Sequence, residues 1–86
     1  MIPEFYSLSN AYPNPFNSTT NIEYTLPITG HLYIGVYDIS GREVAIIVNQ
    51  AIPAGRYTAT WNGAGATSGV DLIMMKANGF NAVRKV

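Results

Sequence analysis

The chain contains no cysteine, a single histidine, and only five basic and five acidic residues in 86. Without thiols, no disulfide can staple the fold and no thiolate metal site can form. One imidazole, His31, offers no second nitrogen ligand and no partner for a nucleophile. It reads as a surface histidine at the start of a strand. The balanced charge excludes the basic stripe that nucleic-acid binding requires, and no polybasic amphipathic segment suits a membrane surface. No apolar run approaches the ~18 residues of a membrane-spanning helix. The first residues lack a basic region followed by an apolar stretch, so they are not read as a secretory signal peptide. Any such signal is expected on a part that precedes this one.

Catalytic equipment is equally sparse. The carboxylates are Glu4, Glu23, Asp38, Glu43 and Asp71, and no two are placed as a facing pair for glycoside hydrolysis. No Gly-x-Ser-x-Gly elbow occurs. Gly63-Ala64-Gly65 lacks the lysine and the spacing of a phosphate loop. The expectation is a domain that is not an enzyme and holds neither cofactor nor metal.

What remains is apolar alternation broken by turns. Hydrophobic residues make up 48% of the chain, with eight glycines and five prolines. One small domain of this size buries roughly 60–65% of its unfolded surface, so every apolar face must be used. Phe5 to Ser9 is either a short first strand or an ordered linker. Ile22, Tyr24 and Leu26 alternate with Asn21, Glu23 and Thr25, the period-2 pattern of a half-buried strand. Pro27 to Gly30 turns the chain into His31 to Asp38, with Leu32, Ile34 and Val36 on one face and Tyr33 and Tyr37 on the other. Asp38-Ile39-Ser40-Gly41 is a tight turn, since an aspartate in first position accepts from backbone N–H groups ahead of it.

Arg42 to Val48 follows as the partner strand, with Val44, Ile46 and Val48 expected on one side and Ile47 on the other. A turn at Ile52 to Gly55 leads to Arg56 to Trp61, whose Tyr57, Ala59 and Trp61 face inward. Val70 to Ala77 is apolar on both faces and fits either a buried strand or a short helix by periodicity. The turn spacing of ~8–12 residues favours the strand. Asn78-Gly79 is a two-residue hairpin signal leading into Phe80 to Val86. The fold class is therefore all-β, a small immunoglobulin-like antiparallel sandwich of six or seven strands. Residues 1–10 are expected to lead in from a preceding domain, and residues 11–86 to form the sandwich.

The run Tyr12-Pro13-Asn14-Pro15-Phe16-Asn17 stands ahead of the first clean strand. Its prolines fix φ near −65° and hold the preceding residues extended, while neither can donate to a sheet ladder. The run is read as a stiff entry pinned by Tyr12 and Phe16. Together with Ile2-Pro3-Glu4-Phe5-Tyr6-Ser7-Leu8, Val36-Tyr37-Asp38, Gly41-Arg42-Glu43-Val44, Pro53-Ala54-Gly55-Arg56-Tyr57, Trp61-Asn62-Gly63, Ser68-Gly69-Val70, Gly79-Phe80 and Arg84-Lys85, it resembles the type A C-terminal sorting domain of the bacterial type IX secretion system. The blocks follow family order over nearly the whole chain. Two departures stand out: Asp71 occupies a place the family usually gives to an aromatic, and the chain ends at Val86, where members commonly continue past the Arg-Lys pair.

The resemblance implies a non-catalytic tail on a larger exported protein. It would be read by an outer-membrane translocon after the cargo reaches the periplasm, and a sortase-like protease would remove it as the cargo is anchored to the surface or released. The signature residues carried over are Tyr12, Pro13, Asn14, Pro15, Phe16, Asn17, Asp38, Gly41, Arg42, Gly55, Gly69, Gly79, Phe80, Arg84 and Lys85. The final strand and the Asp38 to Arg42 loop are the expected contact regions, with strand addition at an edge as one mode. The domain is expected to be a monomer, although Ile46-Ile47-Val48 and Leu72 to Met75 would be sticky if exposed. Two other readings stand beside this one. The first is a structural immunoglobulin-like spacer, since the Trp61 and Gly55 blocks also resemble the hook-capping domain. The second is a carbohydrate-binding module using Tyr33 and Tyr37.

Overall fold

The alternating segments pair as antiparallel strands and stack their apolar faces against each other. The computed structural model describes residues 3–10, 19–62 and 70–85. Seven strands appear in order: β1 (Ser7–Leu8), β2 (Thr19–Leu26), β3 (Gly30–Asp38), β4 (Glu43–Ile52), β5 (Gly55–Asn62), β6 (Val70–Ala77) and β7 (Phe80–Lys85). They form a three-stranded sheet, β1-β2-β5, and a four-stranded sheet, β4-β3-β6-β7. The all-β sandwich expected from the sequence is what forms. The ambiguous segment is strand β6, paired on both sides.

The core lies between the sheets. Leu8, Ile22, Tyr24 and Leu26 come from the three-stranded sheet, and Leu32, Ile34, Val36, Ile73, Met75 and Ala77 from the four-stranded one. Tyr24 stacks on Tyr57 at 5.5 Å between ring centres, and burial, then the neighbouring Tyr57, raises its hydroxyl pKa. β1 is only two residues long, yet Leu8 is 3% exposed. Tyr6, just ahead of it, stacks on Phe80 at 5.4 Å and so ties the entering chain to β7 across the two sheets.

One strand face differs from expectation. The register between β3 and β4 slips twice, so Ile47 and Val44 each fall between paired positions: Ile34 faces Val48, Gly35 faces Ile46, Val36 faces Ala45 and Tyr37 faces Glu43. Each extra residue shifts the alternation by one. As a result Val48, Ile47 and Ala45 pack on the core, while Val44 and Ile46 are exposed. Val44, Ile46 and Val48 therefore do not share a side. The β6–β7 hairpin forms as expected, with Asn78 at φ +47° and Gly79 at φ +85° between the paired Ala77 and Phe80. Both central residues in the left-handed region define the hairpin turn whose twist matches the strands.

On the outer face of β3, Tyr33 leans along its own strand over Gly35. A Cβ at Gly35 would lie 2.6 Å from Tyr33 Cζ, so only glycine lets the ring lie flat there. The Tyr33 hydroxyl donates to Glu43 Oε1 and lies 2.5 Å from the Tyr37 hydroxyl. Because its one proton goes to Glu43, Tyr37 donates to it. Burial, followed by these hydrogen bonds to Glu43 and Tyr37, pushes the Tyr33 hydroxyl pKa upward. Gly35→Ala should displace the ring and destabilise the domain by about 1–2 kcal/mol through lost hydrogen bonds and steric strain. In a Tyr33→Ala background the same change should be neutral or stabilising by about 0.5–1 kcal/mol, because alanine suits a strand interior better than glycine. Chemical denaturation of the four proteins in this cycle checks the reversal of sign.

Candidate recognition surface

The strand directions sort the signature residues into two ends of the sandwich. β3 rises from Gly30 to Asp38, β6 descends from Val70 to Ala77, and β7 rises again to Lys85. Tyr37 pairs with Leu72, which pairs with Lys85, and Val36 pairs with Ile73, which pairs with Arg84. The β3–β4 turn with Asp38, Gly41 and Arg42 thus lies at the same end of the four-stranded sheet as Arg84 and Lys85. Gly55, Gly79 and Phe80 belong to the opposite end, near Leu26, Ile52 and Ala77. Tyr12, Pro13, Asn14, Pro15, Phe16, Asn17 and Gly69 lie outside the described residues, as does Val86. Asp71 falls at the register slip near the start of β6. Its side chain is also outside the described set.

The turn at the first end is built by one carboxylate. Asp38 Oδ1 accepts from the backbone N–H of Ser40 at 2.9 Å, from Ser40 Oγ at 2.6 Å and from the backbone N–H of Arg42 at 2.9 Å. Its Oδ2 accepts from Arg42 Nε at 3.2 Å. The backbone closes the same turn, with Gly41 N–H on Asp38 O and Asp38 N–H on Arg42 O. Gly41 takes φ +89°. The Arg42 side chain is 81% exposed, so the ion pair itself adds little. The donors from Ser40 and then Arg42 hold the Asp38 pKa down at about 2, against an ordinary 3.8. The turn presents Ile39 at its tip, 82% exposed.

The fixed loop therefore offers an apolar tip with a cation, Arg42, beside it. At the same end of the sheet, across β6, the end of β7 adds Arg84, whose Nη1 donates to the Val83 carbonyl at 2.8 Å, and the exposed Lys85. Such a surface can bind a partner by contact and charge. Among the described residues no cluster of three or more metal-ligating side chains occurs. His31 is exposed and its Nε2 lies 2.7 Å from Asn49 Oδ1. Tyr33 and Tyr37 do share an outer face, but their hydroxyls are committed to each other and to Glu43. The Tyr33–Tyr37–Glu43 cluster escaped the sequence reading because the slips in β4 decide which of its residues meet β3. The signal that could have found it is Tyr33-Ile34-Gly35-Val36-Tyr37, a glycine inside a strand with an aromatic two residues to either side.

A depressed carboxylate pKa gives a pH test of the turn. The Asp38 carboxyl is held at about 2 in the folded chain against 3.8 in the unfolded one, so its contribution is present above pH 3.8 and fades as the pH falls toward 2. Asp38→Ala should lower the thermal midpoint at pH 7. The gap from the unaltered domain should narrow across that acid window, as followed by circular dichroism.

No curated protein and no solved structure matches this chain. A family model described as the secretion system C-terminal sorting domain matches residues 10–86. That span runs from the segment joining β1 to β2 through to the end of β7, and it includes both the Asp38 turn and the Arg84-Lys85 strand end. The chain belongs to the secretion system C-terminal sorting domain family.

Proposed function

We propose that this domain is the export tag of a larger secreted protein, carried at the cargo's C-terminal side and read as a folded surface by the type IX outer-membrane translocon. The observation that carries the reading is the family match over residues 10–86. The sandwich supports it, because it presents a closed turn and a strand end together at one end of the sheet. The cargo would cross the inner membrane, reach the periplasm and leave through the translocon. A sortase-like protease would then separate tag from cargo, which ends on the cell surface or outside the cell. In this reading the domain is not an enzyme and needs no cofactor.

Residues 1–10 would connect cargo to tag and residues 11–86 would form the recognised unit. The lead-in takes part in the fold already, since Leu8 is buried and Tyr6 stacks on Phe80. The proposed contact region is the end carrying Asp38, Gly41, Arg42, Arg84 and Lys85. β7 is the outermost strand of its sheet. Strand addition along its Ala82 to Lys85 half would place a partner's backbone at the same end of the sheet as that turn.

The test is a fusion of the 86 residues to a periplasmic reporter in a host that has the type IX apparatus. The reporter should appear on the surface or in the medium, and should stay in the periplasm of a translocon-deficient strain. Retention in both hosts, with the fused domain folded, would contradict the proposal.

A further inference from the structure

The outer face of the four-stranded sheet is apolar across its middle row, with Glu43 and Lys85 at two corners and Lys76 in the row beyond. Three rows cross it, each read from the strand register in the order β4, β3, β6, β7. The first is Glu43, Tyr37, Leu72 and Lys85; the second is Ile46, Gly35, Met74 and Val83; the third is Asn49, Tyr33, Lys76 and Asn81. Paired residues in adjacent strands share a face. Ile46 is 51% exposed and Val83 is 44% exposed. Tyr33 fills the gap over Gly35 and levels the surface between them. A sheet face of this kind is ordinarily covered by another layer.

We propose that this face packs against the same face of a second copy, about a twofold axis parallel to the strands and midway between β3 and β6. That operation lays β4 over β7 and β3 over β6 of the second copy. In the first row Glu43 then meets Lys85, and Tyr37 meets Leu72. In the second row Ile46 meets Val83, and the ring-covered Gly35 meets Met74. In the third row Asn49 meets Asn81, amide against amide, and the exposed Lys76 meets the Tyr33 ring, a cation over an aromatic face. Each contact occurs twice, as a closed twofold interface requires. A twofold axis perpendicular to the strands would instead set Glu43 over Asn49 and Lys85 over Asn81, so that no opposite charges face each other across the interface. The Glu43–Lys85 match thus points to a second copy as the occupant and to this orientation. Aligned packing of this sort is the ordinary arrangement of two sheets.

The size of the face sets the strength. Four strands ~4.8 Å apart and three rows ~7 Å apart, with their side chains, cover on the order of 400 Å² per copy. About 800 Å² in total lies below the ~1,200 Å² of stable complexes, so the dimer is reversible and fills at high concentration.

Sedimentation equilibrium of the 86-residue chain from about 10 μM to about 1 mM, bracketing the affinity of a weak interface, should show the weight-average mass rising toward twofold. Ile46→Lys alters an exposed residue, so it should keep the thermal midpoint and remain monomeric throughout. Glu43→Lys alone and Lys85→Glu alone should each be monomeric, since each sets like charges against one another. An equimolar mixture of the two should form a one-to-one heterodimer, which no repair within a single chain can produce. A native chain still monomeric at the highest concentration would overturn the proposal. So would an Ile46→Lys protein that dimerises as well as the native one, or a mixture that associates no better than its components.

Discussion

Everything in this domain depends on β3 being paired on both sides while its inner face is sealed. Leu32, Ile34 and Val36 have no solvent exposure, and they press the four-stranded sheet against Ile22, Tyr24 and Leu26 of the other. With no disulfide available, this layer of aliphatic side chains is the main driving force for folding. Because β3 is held by β4 on one side and β6 on the other, it also fixes where the β3–β4 turn and the end of β7 lie. The surface offered to partners is thus set by the burial beneath it.

The same strand shows how a local irregularity serves the whole. A long edge strand invites unwanted pairing, and bulges are one way to blunt it. β4 slips twice against β3, at Ile47 and at Val44. The slips turn Ala45, Ile47 and Val48 toward the core, and they bring Glu43 opposite Tyr37 so that it can accept from Tyr33. A perfectly alternating β4 would have set a different row against Gly35. The turn that follows is equally local in its causes, with one carboxylate oxygen satisfying three donors and fixing the loop beside the sheet.

Much of this was legible in the sequence because period-2 alternation and turn chemistry are local signals. The strand β2, the Asp38 turn and the Asn78-Gly79 hairpin each follow from a few neighbouring residues. The faces of β4 did not, because its bulges arise in pairing with β3 and are not marked in the apolar alternation of its own sequence. Nor did the co-location of Asp38 and Arg42 with Arg84 and Lys85, which lie more than forty positions apart and meet only through the β3–β6–β7 register. The family blocks were legible as ordered short words. Several of them turn out to be fold-forming: Gly79 in the hairpin, Gly41 at its turn, and Phe80 against Tyr6.

The central claim is that a folded sandwich is read at the end that carries the Asp38 turn. A photoreactive residue placed at Ile39, in a fusion captured during export, tests this against the same group at Asn78 in the opposite hairpin. Crosslinks to a translocon component from position 39 and not from position 78 are the predicted result. Crosslinks from position 78 alone, or equally from both ends, would contradict it.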